Sequence, residues 1–332
     1  MEESEVENRK YLKWFNKIYP YYGGFSDDLL FYVAIATLFY TVVKGFSAQQ
    51  IILLTTFSTI VSIVLRIPLI KLIQRIGSTK SIRISAGLVL LSSILITFGK
   101  SYFTIIVAKC LYEIALVFRN MLSVLLKSNL SYQDMESEFV RFQNKKSSIY
   151  AIITALIAII VGVLFNINNY LPMYLCIFFC VIIFITSFRI KEVCNEHNFV
   201  EKQKVKVNFS KMICMIFISY GLFYGLITIG QSNGELFIQN ELFKIYSVEQ
   251  VTIYLSVIIF ISRIARIISN LSFTKIYYKY KNKVNLSLGI LMISAYLFII
   301  LGYFINNNIL LKFIMMASGY IDGIRVYCYF ND

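Results

Sequence analysis

Apolar residues run in long blocks along this chain, and short polar segments separate them. Runs of at least 17 mostly apolar residues are long enough for a helix to cross a bilayer. Such runs predict ten helices, at 19–43, 48–73, 83–99, 102–127, 147–166, 170–188, 210–232, 249–273, 285–304 and 309–326. Residues 1–18 differ. Acidic residues come first, followed by Arg9, Lys10, Lys13, Trp14, Phe15 and Lys17, a mixture suited to a short helix lying at a membrane surface. No removable signal peptide is expected ahead of the first span. The longest polar segment, 189–209, reads as a linker between a six-helix unit over 19–188 and a second unit over 210–332. The pattern describes an all-α polytopic membrane protein.

Composition agrees. Of 332 residues, 58% are hydrophobic and 15% charged, against about 45–50% and 25% in soluble domains. That excess of apolar surface excludes a soluble enzyme. A net charge of +14 would suggest a nucleic-acid partner in a soluble protein, but here the basic residues follow the topology. They gather at the N-terminus, at Lys71 to Arg83, at Lys127 to Lys146, at Arg189 to Lys211 and at Lys275 to Lys283. The intervening loops hold little beyond Lys44, Lys100 and Lys244. By the positive-inside rule the N-terminus and the even-numbered loops face the cytoplasm. A miscounted helix would break the alternation. The expected setting is a bacterial plasma membrane, with the lipid bilayer as partner and no nucleic acid or obligate protein partner indicated.

The cysteines (Cys110, Cys176, Cys180, Cys194, Cys214 and Cys328) lie almost entirely in apolar stretches and read as small hydrophobes. With His197 the single histidine, no metal-ligand set can be assembled. No phosphate-binding GxxxxGK[ST] loop occurs, so nothing indicates a nucleotide or another cofactor.

The chain repeats itself at an offset of 200. Lys44-Gly45-Phe46-Ser47-Ala48-Gln49-Gln50-Ile51 matches Lys244-Ile245-Tyr246-Ser247-Val248-Glu249-Gln250-Val251. The register holds onward, Arg66-Ile67 against Arg266-Ile267 and Arg75-Ile76 against Lys275-Ile276. Shared Lys, Ser, Gln and Arg at one offset are not supplied by generic apolarity. Both copies lead from the outer side into an inward-running helix, which describes a parallel repeat about an axis along the membrane normal.

On this repeat, and on one loop motif, the sequence resembles the major facilitator superfamily (MFS) across all ten spans. The superfamily's loop after helix 2 reads approximately Gly-x-Leu-Ala-Asp-Arg-x-Gly-Arg-Lys. Here the loop is Ile70-Lys71-Leu72-Ile73-Gln74-Arg75-Ile76-Gly77-Ser78-Thr79-Lys80. Arg75, Gly77 and Lys80 fit, whereas Ile70 and Gln74 replace the first Gly and the Asp. The resemblance implies a cytoplasmic gate at this loop, a role that carries over to Arg75. Gly319 to Asp332 is similar to helix 10 and the loop after it in bacterial members. The resemblance implies two six-helix bundles, so about ten helices leave the second bundle incomplete. Truncation of the last two helices is the favoured expectation, with a ten-helix variant as the alternative.

Ionisable residues at membrane depth cost about 2.5–3.5 kcal/mol each on insertion scales, so each calls for a reason. In the implied fold helices 1, 4, 7 and 10 line a central cavity. Candidates for the substrate and proton path are Asp27 and Asp28 on helix 1, Glu113 and Arg119 on helix 4, Arg263 on helix 8, and Asp322 and Arg325 on helix 10. Several have plainer readings. Lys109 and Glu113 stand four residues apart and can neutralise one another, as can Asp322 and Arg325. Arg66 and Arg266 can snorkel to headgroups. Asp27-Asp28 is the sharpest signal: two adjacent carboxylates at low dielectric should not both ionise, and one that holds a proton could load and release it. A helix cap at this point is the alternative. Tyr19, Tyr21, Tyr22, Phe31, Tyr32, Phe39 and Tyr40 crowd helix 1, and Tyr220, Phe223 and Tyr224 mark helix 7; most such aromatics face lipid or form interfacial belts. Gly23-Gly24 reads as a close-packing position.

The expected function is therefore secondary active transport of a small solute by alternating access. Proton coupling is the favoured energy source and efflux of an amphipathic compound the slightly favoured task. The rival expectation is a transport-inactive remnant, and an enzyme is not expected.

Overall fold

The computed structural model describes residues 2–193 and 234–280, with Leu297 and Leu301. Nine α-helices with defined bounds carry the described chain: α1 (Glu2–Ser26), α2 (Leu30–Leu38), α3 (Ala48–Ile76), α4 (Ser78–Phe98), α5 (Tyr102–Arg119), α6 (Met121–Ser131), α7 (Phe139–Ile167), α8 (Leu171–Ser187) and α9 (Val248–Tyr280). A π-helical turn, Phe39–Val43, continues α2, and residues 234–243 are helical. The linker from 194 onward and the spans at 210–232, 285–304 and 309–326 lie outside the described residues, apart from Leu297 and Leu301. So does most of the second bundle.

Val6–Val43, Ala48–Ile76, Ser78–Phe98 and Glu136–Ile167 are long and apolar enough to cross a membrane. On α3, Ile52, Leu53, Phe57, Ile60, Ile63, Val64 and Ile67 are all exposed, a stripe far larger than a soluble surface carries. The protein is an integral membrane protein. The fifth long helix of the first unit, α5, carries Lys109, Glu113 and Arg119 within 18 residues.

The structure departs from the sequence reading along residues 1–43. Residues 1–18 are not a separate surface helix: α1 runs unbroken through Tyr19 and beyond. Leu12, Phe15 and Tyr19 recur on one helical face and are fully buried, Phe15 and Tyr19 against Ile82, Leu122, Leu125 and Leu126. A face that apolar belongs inside the bundle, and the basic residues occupy the other side of the helix. The break comes later. Asp27, Asp28 and Leu29 leave helical geometry, so 19–43 is two helical pieces. Short acidic side chains compete with the backbone for hydrogen bonds and favour such interruptions. Asp28 does so directly, its Oδ1 accepting from the Leu29 amide at 2.8 Å.

The crowded aromatics of this segment also lie elsewhere than expected. Tyr19, Phe31, Tyr32, Phe39 and Tyr40 are buried, and among the seven only Tyr21 is exposed. The Tyr19 hydroxyl bonds Gln143 and the Tyr32 hydroxyl bonds that of Tyr40. Hydroxyls satisfied inside the protein have no need of a headgroup belt.

The chain divides into two compact units, Met1–Ile153 with Ile167–Lys204, and Thr154–Asn166 with Val205–Asp332. In the first, α4 packs against α5 and α8, and α3 against α5. The α4–α5 contact is built from small residues at seven-residue spacing. Ser85 Oγ donates to the Ala115 carbonyl and Ser92 Oγ to the Ala108 carbonyl, both at 2.8 Å. Without bulky side chains between them the two backbones approach closely, as apolar surroundings favour. Gly23 and Gly24 do the same for α1 against α7. A Cβ on Gly24 would stand 2.8 Å from Ile149 Cγ2, and one on Gly23 2.9 Å from Lys146 Cγ. In the second unit a Cβ on Gly162 would meet Ser256 Oγ at 2.5 Å.

The repeated motif has a local physical meaning. Ser47 and Gln50 form a reciprocal capping box that starts α3, and Ser247 and Gln250 form the same bonds at the start of α9. Helix initiation accounts for the Ser and Gln of the match.

Gly24→Leu is expected to overpack the α1–α7 contact and cost about 1–3 kcal/mol. It should show as a lower melting temperature of the detergent-solubilised protein, whereas Gly45→Ala, with open space around its Cβ, should show only the smaller cost of its positive φ.

Candidate functional site

The interruption of helix 1 places two adjacent carboxylates against different partners. Asp27 forms an ion pair with Lys146 of α7, Nζ to Oδ1 at 2.7 Å, each side chain under one-fifth exposed. Asp28 turns toward α5 and α7: the hydroxyls of Tyr112 and Tyr150 donate to its two oxygens, the latter at 3.4 Å. Each acid has its own donors, so the pair need not share one proton as bare adjacency suggested.

Beside Asp28 lies a narrow cleft of water-sized bore. Tyr22 and Ser26 of α1, Asp28, Ser85 of α4 and Arg119 at the end of α5 form its polar lining, and Ile82, Leu122 and Ile183 are among the residues that close it. Arg119 arrives there by register: it is four residues past Ala115, whose carbonyl is fixed by Ser85, so the guanidinium falls one turn further along the same face. It lies within the electrostatic reach of Asp27, Asp28, Tyr112 and Tyr150.

The other acid of α5 behaves differently. Glu113 is paired with Lys109 on its own helix at 3.3 Å, and Lys109 also lies over the Tyr112 ring. The plain neutralising reading describes this pair, and Glu113 does not line the cleft. Arg263 is buried on α9 of the second unit, about 8% exposed. Asp322 and Arg325 lie outside the described residues.

No family model matches the chain, and no curated protein matches it. Solved structures do. The crystal structure of the nucleoside transporter NupG superposes with a TM-score of 0.69 at 13% identity, covering 96% of this chain and 80% of that one. The chain has an MFS-like fold.

Within that fold the loop at residues 70–80, where the sequence resemblance implied a gate, takes a definite shape. Gly77, with φ of 83°, joins α3 directly to α4, a conformation that favours glycine. The Ser81 amide and hydroxyl both bond the Gly77 carbonyl. Arg75 and Lys80 are exposed, with no ion pair among the described residues. The basic residue that ties this end together is Arg83, whose guanidinium donates to the carbonyls of Phe188 and Ile190 beyond α8 and lies over the Phe188 ring. On the far side Lys44 donates to the carbonyls of Thr97 and Gly99 at the end of α4, and burial pushes its ammonium below the ordinary lysine value.

The site thus adds Tyr112, Tyr150 and Lys146 to the residues legible in the sequence. Lys146 is basic and directly precedes the apolar run at 147–166, so charge patterning assigns it to a loop, whereas it lies about two turns inside α7. The tyrosines are two among 24, and no spacing marks them.

Lys146→Ala should take from Asp27 the cation it is paired with and cost up to about 3–5 kcal/mol. Adding Asp27→Asn should recover much of the loss, a coupling that a double-mutant cycle on melting temperature reads directly. Additive losses would mean the pair does not interact.

Proposed function

We propose that the chain is a secondary active transporter that moves a small solute by alternating access and is coupled to protons through Asp28. The observation that carries the reading is the helix interruption itself. A carboxylate at membrane depth faces a polar cleft, held by a backbone amide and two tyrosine hydroxyls. Broken membrane helices are where transporters gather polar groups for substrate and coupling ions. The MFS-like fold, shared with a protein described as a nucleoside transporter, supports transport as the task.

The chemistry follows from the donors. Ionised Asp28 accepts from Leu29, Tyr112 and Tyr150. A proton on it turns one acceptor oxygen into a donor, so at least one tyrosine hydroxyl must rotate away or reverse its bond. Proton loading therefore changes the contacts between the interrupted segment and at least one of α5 and α7. Asp27, tied to Lys146, holds its charge and anchors the segment meanwhile. The amphipathic solute suggested by the aromatics of helix 1 loses its support, since five of those seven side chains are buried and of the seven only Tyr22 lines the cleft.

The test is uptake into liposomes containing the purified chain, under an inward proton gradient, across labelled solutes that include a nucleoside and an organic anion. Asp28→Asn should lower gradient-driven accumulation at least tenfold while the protein stays monodisperse. Undiminished gradient-driven transport in that variant removes Asp28 from the coupling role.

A further inference from the structure

We propose that the solute carries a small oxyanion, a carboxylate or a phosphate, which binds Arg119, and that it enters together with the proton that neutralises Asp28. The inference rests on the transport reading above and names its substrate class and stoichiometry.

The argument is one of charge balance. In low dielectric every ionised group needs a counter-charge close by. Around the cleft, among the described residues, Asp27 is paired with Lys146 and Glu113 with Lys109, which leaves Asp28 and Arg119 as the two charged side chains of the cleft lining. Both line the cleft, yet they are not an ion pair. Asp28 spends its oxygens on Leu29, Tyr112 and Tyr150. Arg119, among the described residues, makes no hydrogen bond or ion pair at all and feels Asp28 only across space. A guanidinium presents five donors in a planar fork suited to a bidentate oxyanion. The Tyr22 hydroxyl in the same lining can serve a remaining lone pair, whereas those of Ser26 and Ser85 are spent on the Gly23 and Ala115 carbonyls.

Neutrality then dictates the coupling. With Asp28 ionised, the cleft is balanced and an incoming anion would add an uncompensated charge. With Asp28 protonated, Arg119 is left alone and a monovalent oxyanion restores the balance. Proton and anion each raise the other's affinity, by the same factor in both directions. One proton therefore accompanies each monovalent oxyanion, the loaded step moves no net charge, and an inward proton gradient drives uptake. Among the described residues, the groups around Asp28 are Tyr22 and Ser26 of α1, Asp27 beside it, Tyr32 of α2, Tyr112 and Arg119 of α5, Lys146 and Tyr150 of α7, and Cys180 of α8. These residues specify the charged head of the solute and nothing of the rest.

The experiment measures binding to the purified full chain at acidic and alkaline pH. Lactate and inorganic phosphate serve as oxyanion probes, uridine as a neutral one and tetraphenylphosphonium as a cation. At least one oxyanion should bind, tenfold or more tightly at acidic pH, and Asp28→Asn should bind it equally at both. Arg119→Lys keeps the charge but loses the fork and should weaken binding about tenfold; Arg119→Gln should abolish it. In liposomes, uptake of lactate, if it is the oxyanion bound, should not respond to membrane potential. Binding of neither oxyanion, binding of equal strength at both pH values in the unmodified chain, or binding indifferent to both Arg119 variants overturns the proposal. Proton-driven transport of uridine or tetraphenylphosphonium with no oxyanion bound overturns it too, and leaves proton coupling through Asp28 standing. Loss of proton coupling itself removes both readings.

Discussion

Charge inside a bilayer has to be neutralised where it stands, and the first unit of this protein is organised around meeting that demand. Four ionised side chains are settled by two ion pairs, Asp27 with Lys146 and Lys109 with Glu113. The first crosses between helices and the second stays on one. They differ in consequence. A pair within a single helix fixes nothing beyond that helix, whereas Asp27–Lys146 locks the interrupted segment of helix 1 against α7. The position of the carboxylate next to it follows from that lock.

Small residues make the lock geometrically possible. Gly23 and Gly24 let α7 approach until Lys146 and Tyr150 reach the two aspartates. The serine face of α4 plays the same part on the other side, pinning the α5 backbone at Ala108 and Ala115 and so setting the height of Arg119. Dispersion and short hydrogen bonds hold these contacts in lipid, where no hydrophobic force drives one helix against another. The cleft is thus a by-product of two close packings that leave Asp28 and Arg119 near one another but out of contact.

Much of this was legible from the residue pattern, and what escaped has a common cause. The helices at 48–73, 83–99, 147–166 and 170–188 reappear as α3, α4, α7 and α8 with ends shifted by a few residues or, for α4 and α7, up to about two turns, because apolar runs mark what sits in lipid while caps and packing set where a helix stops. The Lys109–Glu113 pair was readable because one helix turn joins it. The break at Asn120, which splits the expected 102–127 helix into α5 and α6, and the interruption at Asp27 were not, since an average over an apolar run smooths out the few residues that leave the helix. Tyr112, Lys146 and Tyr150 depend on which helix faces meet in space, and that information is long-range. The repeated Ser-x-x-Gln was found as self-similarity, yet its physical content is local: it starts two helices.

The contrast between Asp27 and Asp28 carries the argument furthest. Two identical side chains, adjacent in sequence, would stand about 100° apart on an intact helix, and neither could accept from the following backbone amide, which the helix would use itself. Once the helix is interrupted, the Leu29 amide is free to be held by Asp28, and the acids can point to separate partners. Asp27 meets a lysine. Asp28 meets hydroxyls, which can donate to a carboxylate or accept from a carboxylic acid with equal ease. A group held by cations resists protonation; a group held by hydroxyls tolerates both states. On the proposed transport reading the interruption divides the labour, with Asp27 as the anchor and Asp28 as the group whose hydroxyl partners suit either charge state.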